Sequence, residues 1–73
     1  MKTSTIYIEC WGPSKASLKQ EYPNAIFVPS RASLYALGNG IKEALHDVHA
    51  PQEGEGWKVL SNGYYHSVIE IFN

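Results

Sequence analysis

Two copies of one short motif contain the residues of this chain that are best suited to binding chemistry. The motif at residues 13–18 reads PSKASL, and it returns at residues 29–34 as PSRASL, with Arg31 in the place of Lys15. Each copy follows an apolar run, so each places serines at the start of a helix. Exposed amides, hydroxyls and a cation at a helix start form a site for phosphate or carboxylate. The repeat therefore predicts anion binding.

The basic residue is the part of each copy that helix capping does not explain. Proline, serine and leucine at the other positions fit an N-cap and a hydrophobic staple. A helix N-terminus carries about half a positive charge, so a cation there costs about 0.3–1 kcal/mol. An external anion offsets that cost for both Lys15 and Arg31. The alternative is two well-capped helices whose cations face water.

The topology predicts that the two helix starts lie close together. A helical crossover between the first two strands makes them parallel, which places both helix starts at one edge of the sheet. Ligands of open α/β sheets bind at this edge. We expect a phosphate-bearing, nucleotide-like ligand whose base stacks on Trp11 or on a Tyr. The candidate ligand-binding residues are Trp11, Ser14, Lys15, Ser17, Ser30, Arg31 and Ser33.

The elements that position these residues follow from the hydrophobic pattern of the first half of the chain. In residues 5–11 the side-chain types alternate with a period of two, which is typical of a strand. Residues 25–28 are a continuous apolar run, which is typical of a buried strand. Between them, residues 16–22 predict a short helix with Ser14 as its N-cap. The first half therefore predicts a strand, a helix and a second strand.

A long amphipathic helix is predicted to begin after Ser30 and to end before Pro51. Its apolar residues keep the same helical spacing on both sides of residues 38–40. Two of these residues are glycines, each of which lowers helix stability by about 1 kcal/mol relative to alanine. We therefore expect one continuous helix. Its apolar face consists of Leu34, Leu37, Ile41, Leu45 and Val48.

The last third of the chain predicts a β-hairpin after a loop at residues 52–56. Two β-rich runs, 57–61 and 64–72, flank Asn62-Gly63, a strong signal for a two-residue type I′ turn. Such a turn pairs Trp57 with Val68. Both faces of this hairpin are apolar, so the sheet is covered on both sides or uses one face for a partner.

The predicted element order is β-α-β-α-β-β, an α/β chain of the two-layer α+β type. Its first two strands form a parallel pair and its last two an antiparallel hairpin. The 73 residues make a single domain, 1–73. A chain this short buries only about 60% of its unfolded surface, so we expect a homodimer or a larger assembly.

A protein-binding regulator or inhibitor is the second function that the sequence suggests. The chain has five Tyr and two Trp, and such side chains are frequent at interfaces. One candidate surface is the aromatic sheet face, and another is a strip of small residues on the long helix. The candidate interface residues are Gly40, Ala44, Trp57, Tyr64 and His66.

Composition disfavours several other classes of function. The net charge is −1 and the cations are dispersed, so general nucleic-acid binding is disfavoured. A single Cys with scattered histidines, among them His46, His49 and His66, does not complete a metal site, and no cofactor or catalytic set is visible. We expect a non-enzymatic cytoplasmic protein, since the sequence suggests neither a disulfide framework, a signal peptide nor a membrane span.

One stretch resembles the active-site motif of the thioredoxins. Residues 10–15 read CWGPSK, which is similar to the family's WCGPCK with Trp and Cys exchanged. The resemblance implies thiol redox chemistry, which in that family needs a cysteine at the helix start and a cis-proline before the third strand. Here Cys10 ends a strand and Gly56 precedes Trp57. The sequence therefore does not predict redox activity.

Overall fold

The computed structural model describes residues 3–47 and 52–72, which are organised around a five-stranded mixed sheet. The strands are β1 Ser4–Cys10, β2 Ile26–Phe27, β3 Glu53–Gly54, β4 Trp57–Asn62 and β5 His66–Phe72. The helices are α1 Ser14–Glu21, α2 Arg31–Tyr35 and α3 Ile41–His46. The sheet order is β2-β1-β5-β4-β3, and β1 pairs with β2 in parallel. The α+β class, the parallel β1/β2 pair and the C-terminal antiparallel hairpin are confirmed.

Helices cover both faces of the sheet, because side chains of β1 alternate between two apolar clusters. Ile8 is fully buried with Leu18 of α1, which defines the α1 face. Tyr7 points to the other side and packs against the cluster that contains Leu34 and Ile41, which defines the α2/α3 face. The sheet therefore lies between two helical layers, which is the first of the two arrangements that its apolar faces allowed.

The helix predicted to be continuous after Ser30 is broken into α2 and α3. Gly40 has a φ of +87° and is the N-cap of α3. The indole of Trp57 lies against this segment and donates from Nε1 to the carbonyl of Asn39 at 3.2 Å. A Cβ on Gly38 would approach Trp57 Cδ1 to 3.0 Å. Gly38 and Gly40 leave room for the indole of Trp57, which packs against the backbone of this segment. That packing interrupts the helix.

The predicted apolar face persists across the break. Leu34, Ile41 and Leu45 are buried in one cluster, and Leu37 packs against it. Val48, the last member of the predicted stripe, lies outside the described residues. None of the helices among the described residues has the length and apolar character needed to span a bilayer.

The C-terminal hairpin has a different register from the predicted one. Trp57 pairs with Ile71 and not with Val68, and the pairing shifts by one residue between Val59 and Ser61. The amide of Gly63 donates to the carbonyl of His66 at 2.8 Å, which leaves residues 64 and 65 at the tip. The turn therefore lies beyond the predicted Asn62-Gly63 position.

The side chain of Asn62 explains why the turn does not form at this residue. Its Nδ2 donates to the carbonyl of Leu45, near the end of α3, at 2.8 Å. Its Oδ1 accepts from the hydroxyl of Ser67, which is fully buried, also at 2.8 Å. These two bonds hold Asn62 in β4, and the chain turns only after Gly63.

Candidate functional site

The two basic residues of the repeat lie on opposite faces of the sheet. Lys15 Nζ is 5.8 Å from the ring centroid of Phe27, which packs on the α1 face. Arg31 begins α2 and contacts Glu9, which follows Tyr7 by two residues on β1 and so belongs to the α2/α3 face. The expected convergence of both cations on one anion is therefore not seen.

Arg31 has its anionic partner within the chain. Its Nε donates to Glu9 Oε1 at 3.1 Å, and one of its terminal nitrogens donates to the carbonyl of Gly63 at 2.8 Å. The two charged side chains are 32% and 16% exposed, respectively. This pair joins the start of α2 to β1 and to the hairpin. An internal carboxylate thus compensates the cation at this helix start.

The serines of the repeat do not form one cluster, and no side chain among the described residues caps α1 or α2. Ser14 is the first residue of α1 and the preceding proline is the N-cap, so the predicted N-cap position is wrong. Ser30 is the N-cap of α2 as predicted, and its Oγ lies 3.3 Å from Ser33 Oγ. Ser17 is exposed on α1.

Lys15 and Lys19 remain without a carboxylate partner among residues 3–47 and 52–72. Both Nζ atoms lie 5.8 Å from the centroid of the Phe27 ring. The negative face of an aromatic ring attracts cations at this distance. α1 therefore carries one positive charge in its first turn and one in its last turn, both held near the Phe27 ring.

A contiguous group of exposed aromatic residues lies where β1 ends beside the hairpin tip. Trp11 is 71% exposed, Tyr64 89% and Tyr65 49%. The rings of Trp11 and Tyr65 are stacked, with centroids 5.9 Å apart and an interplanar angle of 18°. Tyr64 meets Tyr65 edge to face at 4.9 Å. We name these three residues the aromatic tip.

Backbone bonds position the aromatic tip. The amide of Trp11 donates to the carbonyl of Tyr65 at 2.8 Å, which extends the β1/β5 pairing by one step beyond Cys10. Gly12 then turns the chain towards α1 with a φ of +67°, a conformation that favours glycine. Arg31 holds the base of the hairpin tip through the carbonyl of Gly63. The rings thus project from a braced backbone.

A cavity of about 440 Å³ lies between the aromatic tip and the first turn of α1. Its lining consists of Trp11, Gly12, Pro13, Ser14 and Tyr65. Two of the predicted ligand-binding residues, Trp11 and Ser14, therefore share one concave surface. A cavity of this size with aromatic walls is typical of a ligand site.

Two of the predicted interface residues lie in the core. Trp57 is 5% exposed and Ala44 is 1% exposed, because both pack between α3 and the sheet. Gly40 and Tyr64 are exposed. His66 is half-buried, and its Nε2 lies 2.8 Å from Ser61 Oγ. The predicted aromatic sheet face is therefore covered, and the exposed rings lie at its edge.

Tyr65 is the site residue that the sequence analysis did not identify. The predicted hairpin placed it inside the second strand, residues 64–72. The signal that would have found it is the pair Tyr64-Tyr65 directly after a glycine, since adjacent strand residues point to opposite faces. With helices on both faces, two neighbouring tyrosines fit a tip better than a strand interior.

The thiol of Cys10 is half-buried at the end of β1. Its burial raises its pKa above the usual value, and the charge of Glu9 acts in the same direction. The positive charges of Lys15 and Lys19 act in the opposite direction. The described residues contain no cis peptide bond. Cys10 therefore ends a strand and does not begin a helix, as the thioredoxin-like motif would require, and Pro51 lies outside the described residues.

Metal binding has no support among residues 3–47 and 52–72, where no three His, Cys, Asp or Glu side chains are grouped. His49, one member of the histidine pair noted in the sequence, lies outside the described residues. The comparisons with protein-family models, with curated proteins and with solved structures found no match to this chain. A function must therefore be argued from the site itself.

Proposed function

We propose that this chain is a small, non-enzymatic binding domain that contacts a partner protein through the aromatic tip. The observation that supports this proposal is the joint exposure of Trp11, Tyr64 and Tyr65, at 71%, 89% and 49%, whereas Trp57 is buried. Tryptophan and tyrosine are enriched among the residues that dominate binding energy at protein interfaces. A regulator or inhibitor of another protein fits this surface.

The bracing of the aromatic tip supports the same proposal. Binding costs free energy when side chains and loops must be ordered, and a surface that is already ordered avoids part of that cost. Trp11 is stacked on Tyr65 and bonded to it through the backbone. Arg31 ties the hairpin to β1 through Gly63 and Glu9. The surface is therefore suited to binding without rearrangement.

Two further features belong to the proposal. A single cysteine fits the reducing cytoplasm, where we place the protein. The small size of the chain favours self-association into a homodimer or a larger assembly. Size-exclusion chromatography with light scattering tests the assembly independently of partner binding.

A phosphate-bearing small ligand is the second candidate partner. Trp11 and Ser14 line the same cavity, and the neighbouring Lys15 has no carboxylate partner among the described residues. A nucleotide base would stack on Trp11 while its phosphate met the cation and the first turn of α1. This version uses the first copy of the repeat alone, because Arg31 is paired with Glu9.

One set of variants tests both candidates. Trp11→Ala and Tyr65→Ala remove the walls of the cavity, and Ile26→Ala removes an exposed apolar side chain of β2 as the matched control. The measurement is cross-linking in the cells that produce this protein, followed by purification of the chain with any bound partner. We expect the wild type and Ile26→Ala to retain the partner and both cavity variants to lose it.

For the small-ligand candidate, the measurement is the unfolding temperature in the presence of nucleotides and cyclic nucleotides. A ligand at a hundred times its Kd stabilises the folded chain by about 2.7 kcal/mol. We expect Lys15→Ala to weaken this effect and Arg31→Ala to weaken it less, once the stability of each variant is taken into account, because Arg31 contacts Glu9 and the Gly63 carbonyl and not the cavity. If no partner is captured and no nucleotide stabilises the chain, the proposed function is wrong.

A further inference from the structure

We infer that the partner segment of the aromatic tip is a proline-rich peptide in the polyproline II conformation, with acidic residues next to its prolines. This inference rests on the proposed function and names the chemistry of its protein partner. Three observations carry it: the apolar aromatic cavity, the hydrogen-bond donors of the aromatic tip, and the two cations of α1 that have no carboxylate partner among the described residues.

The cavity matches the recognition of proline. Its walls include the rings of Trp11 and Tyr65, inclined by 18° to each other, and the ring of Pro13. Proline-rich segments dock in aromatic-lined grooves of this kind. The polyproline II helix is already extended before binding, so little ordering free energy is lost.

The donors on these rings match a ligand that presents only acceptors. Among residues 3–47 and 52–72, the indole N–H of Trp11 and the hydroxyls of Tyr64 and Tyr65 have no hydrogen-bond partner. A polyproline II segment has no internal hydrogen bonds, and its prolines carry a carbonyl but no N–H. The tip can therefore donate to carbonyls that would otherwise bond only to water.

The two cations of α1, whose Nζ atoms lie 5.8 Å from the Phe27 ring and outside the cavity lining, favour acidic residues that flank the prolines. α1 begins at Ser14, which lines the cavity, and Lys15 and Lys19 have no ion pair among the described residues. A helix rises about 1.5 Å per residue, so Lys19 lies about 7–8 Å along the axis from Ser14. This distance corresponds to two or three residues of polyproline II, at about 3.1 Å each. Acidic residues within about three positions of the prolines can therefore reach the two lysines.

A single-stranded nucleic acid is the macromolecule that could otherwise use stacked rings and cations. The chain has a net charge of −1, and Arg31 is already paired with Glu9, so few cations are available along a backbone of phosphates. The observations therefore favour the peptide, and an oligonucleotide serves as a competing probe in the test.

The test is a fluorescence titration of the full chain with four synthetic probes. They are five prolines preceded by two glutamates, the same prolines preceded by two lysines, a glycine-serine peptide preceded by two glutamates, and a six-residue oligothymidine. Trp11 is exposed and Trp57 is buried, so a change in tryptophan emission on binding reports on the aromatic tip. Backbone amide NMR shifts of the wild type locate the same contact without any substitution.

We expect the glutamate-flanked prolines to bind most tightly and the lysine-flanked prolines at least threefold more weakly. Lys15→Ala or Lys19→Ala weakens the first probe by about two- to fivefold, which is the range of an exposed ion pair. Lys42→Ala, which removes an exposed cation from α3, leaves its affinity unchanged. Tyr65→Ala abolishes binding in this titration. In the wild type the NMR shifts map to the cavity, and Trp11→Ala, which removes the fluorescent reporter, abolishes those shifts.

The inference is overturned if the glycine-serine peptide or the oligothymidine binds as tightly as the glutamate-flanked prolines, or if no peptide binds. When a cellular partner is nevertheless lost from the cavity variants, the proposed function stands and only the proline-rich partner is wrong. When the cavity variants also retain that partner, the aromatic tip is not the binding surface and both proposals fail.

Discussion

Arg31 and Glu9 form an ion pair that links α2 to β1, with Arg31 Nε 3.1 Å from Glu9 Oε1. The guanidinium also donates to the carbonyl of Gly63 at 2.8 Å. A planar guanidinium with several donors can satisfy a carboxylate and a carbonyl at once, which an ammonium does less well. Arg31 therefore holds three parts of the fold together.

This arrangement predicts that Arg31→Ala lowers the free energy of unfolding by about 1–2 kcal/mol, since it removes two charge-assisted hydrogen bonds. Lys15→Ala is the matched control from the other copy of the repeat, and we expect its effect to stay within about 0.5 kcal/mol. Urea unfolding followed by circular dichroism measures both. If both substitutions lowered the free energy of unfolding equally, the conclusion that Arg31 has an internal partner and Lys15 does not would be contradicted.

The two copies of the repeat show what local sequence can and cannot determine. Their shared residues correctly placed a helix start after each of the first two strands, because that signal is local. The environment of the basic residue depends on what the tertiary fold brings near it. Glu9 lies 22 positions before Arg31 in the chain, and Gly63 lies 32 positions after it. No spacing rule within the motif contains those partners.

The hairpin shows the same limit for strand pairing. Asn62-Gly63 is a strong turn signal, and the structure has both predicted strands, although β5 begins at His66 and not at residue 64. The turn moved because Asn62 has two side-chain partners, Leu45 and Ser67, that hold it in β4. The resulting register buried Trp57 and left Tyr65 at the tip. The site residues changed with the register, although both strands of the hairpin remained.

Gly54 is predicted to be intolerant of a methyl group because Trp57 packs on its backbone. A Cβ at this position would overlap the indole ring of Trp57, well inside a van der Waals contact. We expect Gly54→Ala to cost about 1–3 kcal/mol, the range for overpacking. In a Trp57→Phe background the smaller ring leaves room, so the cost of the same substitution should fall by at least about 1 kcal/mol. Additive effects in this thermodynamic cycle would contradict the contact.

Cys10 is predicted to react slowly with alkylating agents. Burial raises the pKa of its thiol, and the thiolate is the nucleophilic form. The alkylation rate should therefore keep rising with pH beyond the point at which the same cysteine in the urea-unfolded chain has levelled off. Lys15→Ala should raise the pKa further, because the cation of Lys15 lowers it. Mass spectrometry after timed iodoacetamide pulses measures the profile, and identical folded and unfolded profiles would rule out the effect of burial.

Asn62 is predicted to be the most sensitive polar residue of the hairpin. Its replacement by alanine leaves the fully buried hydroxyl of Ser67 without its acceptor and the Leu45 carbonyl without its donor. An unsatisfied buried polar group costs about 1–3 kcal/mol, so we expect Asn62→Ala to destabilise the chain by about 2–3 kcal/mol. Ser67→Ala in the same chain removes the orphaned hydroxyl, so the double variant should lose less stability than the sum of the single variants.

Hydrogen exchange should show the amides of α3 opening more readily in Asn62→Ala than in Ser67→Ala, because only Asn62→Ala removes the bond to the end of the helix. Equal protection of α3 in both variants would show that the bond to Leu45 does not stabilise it.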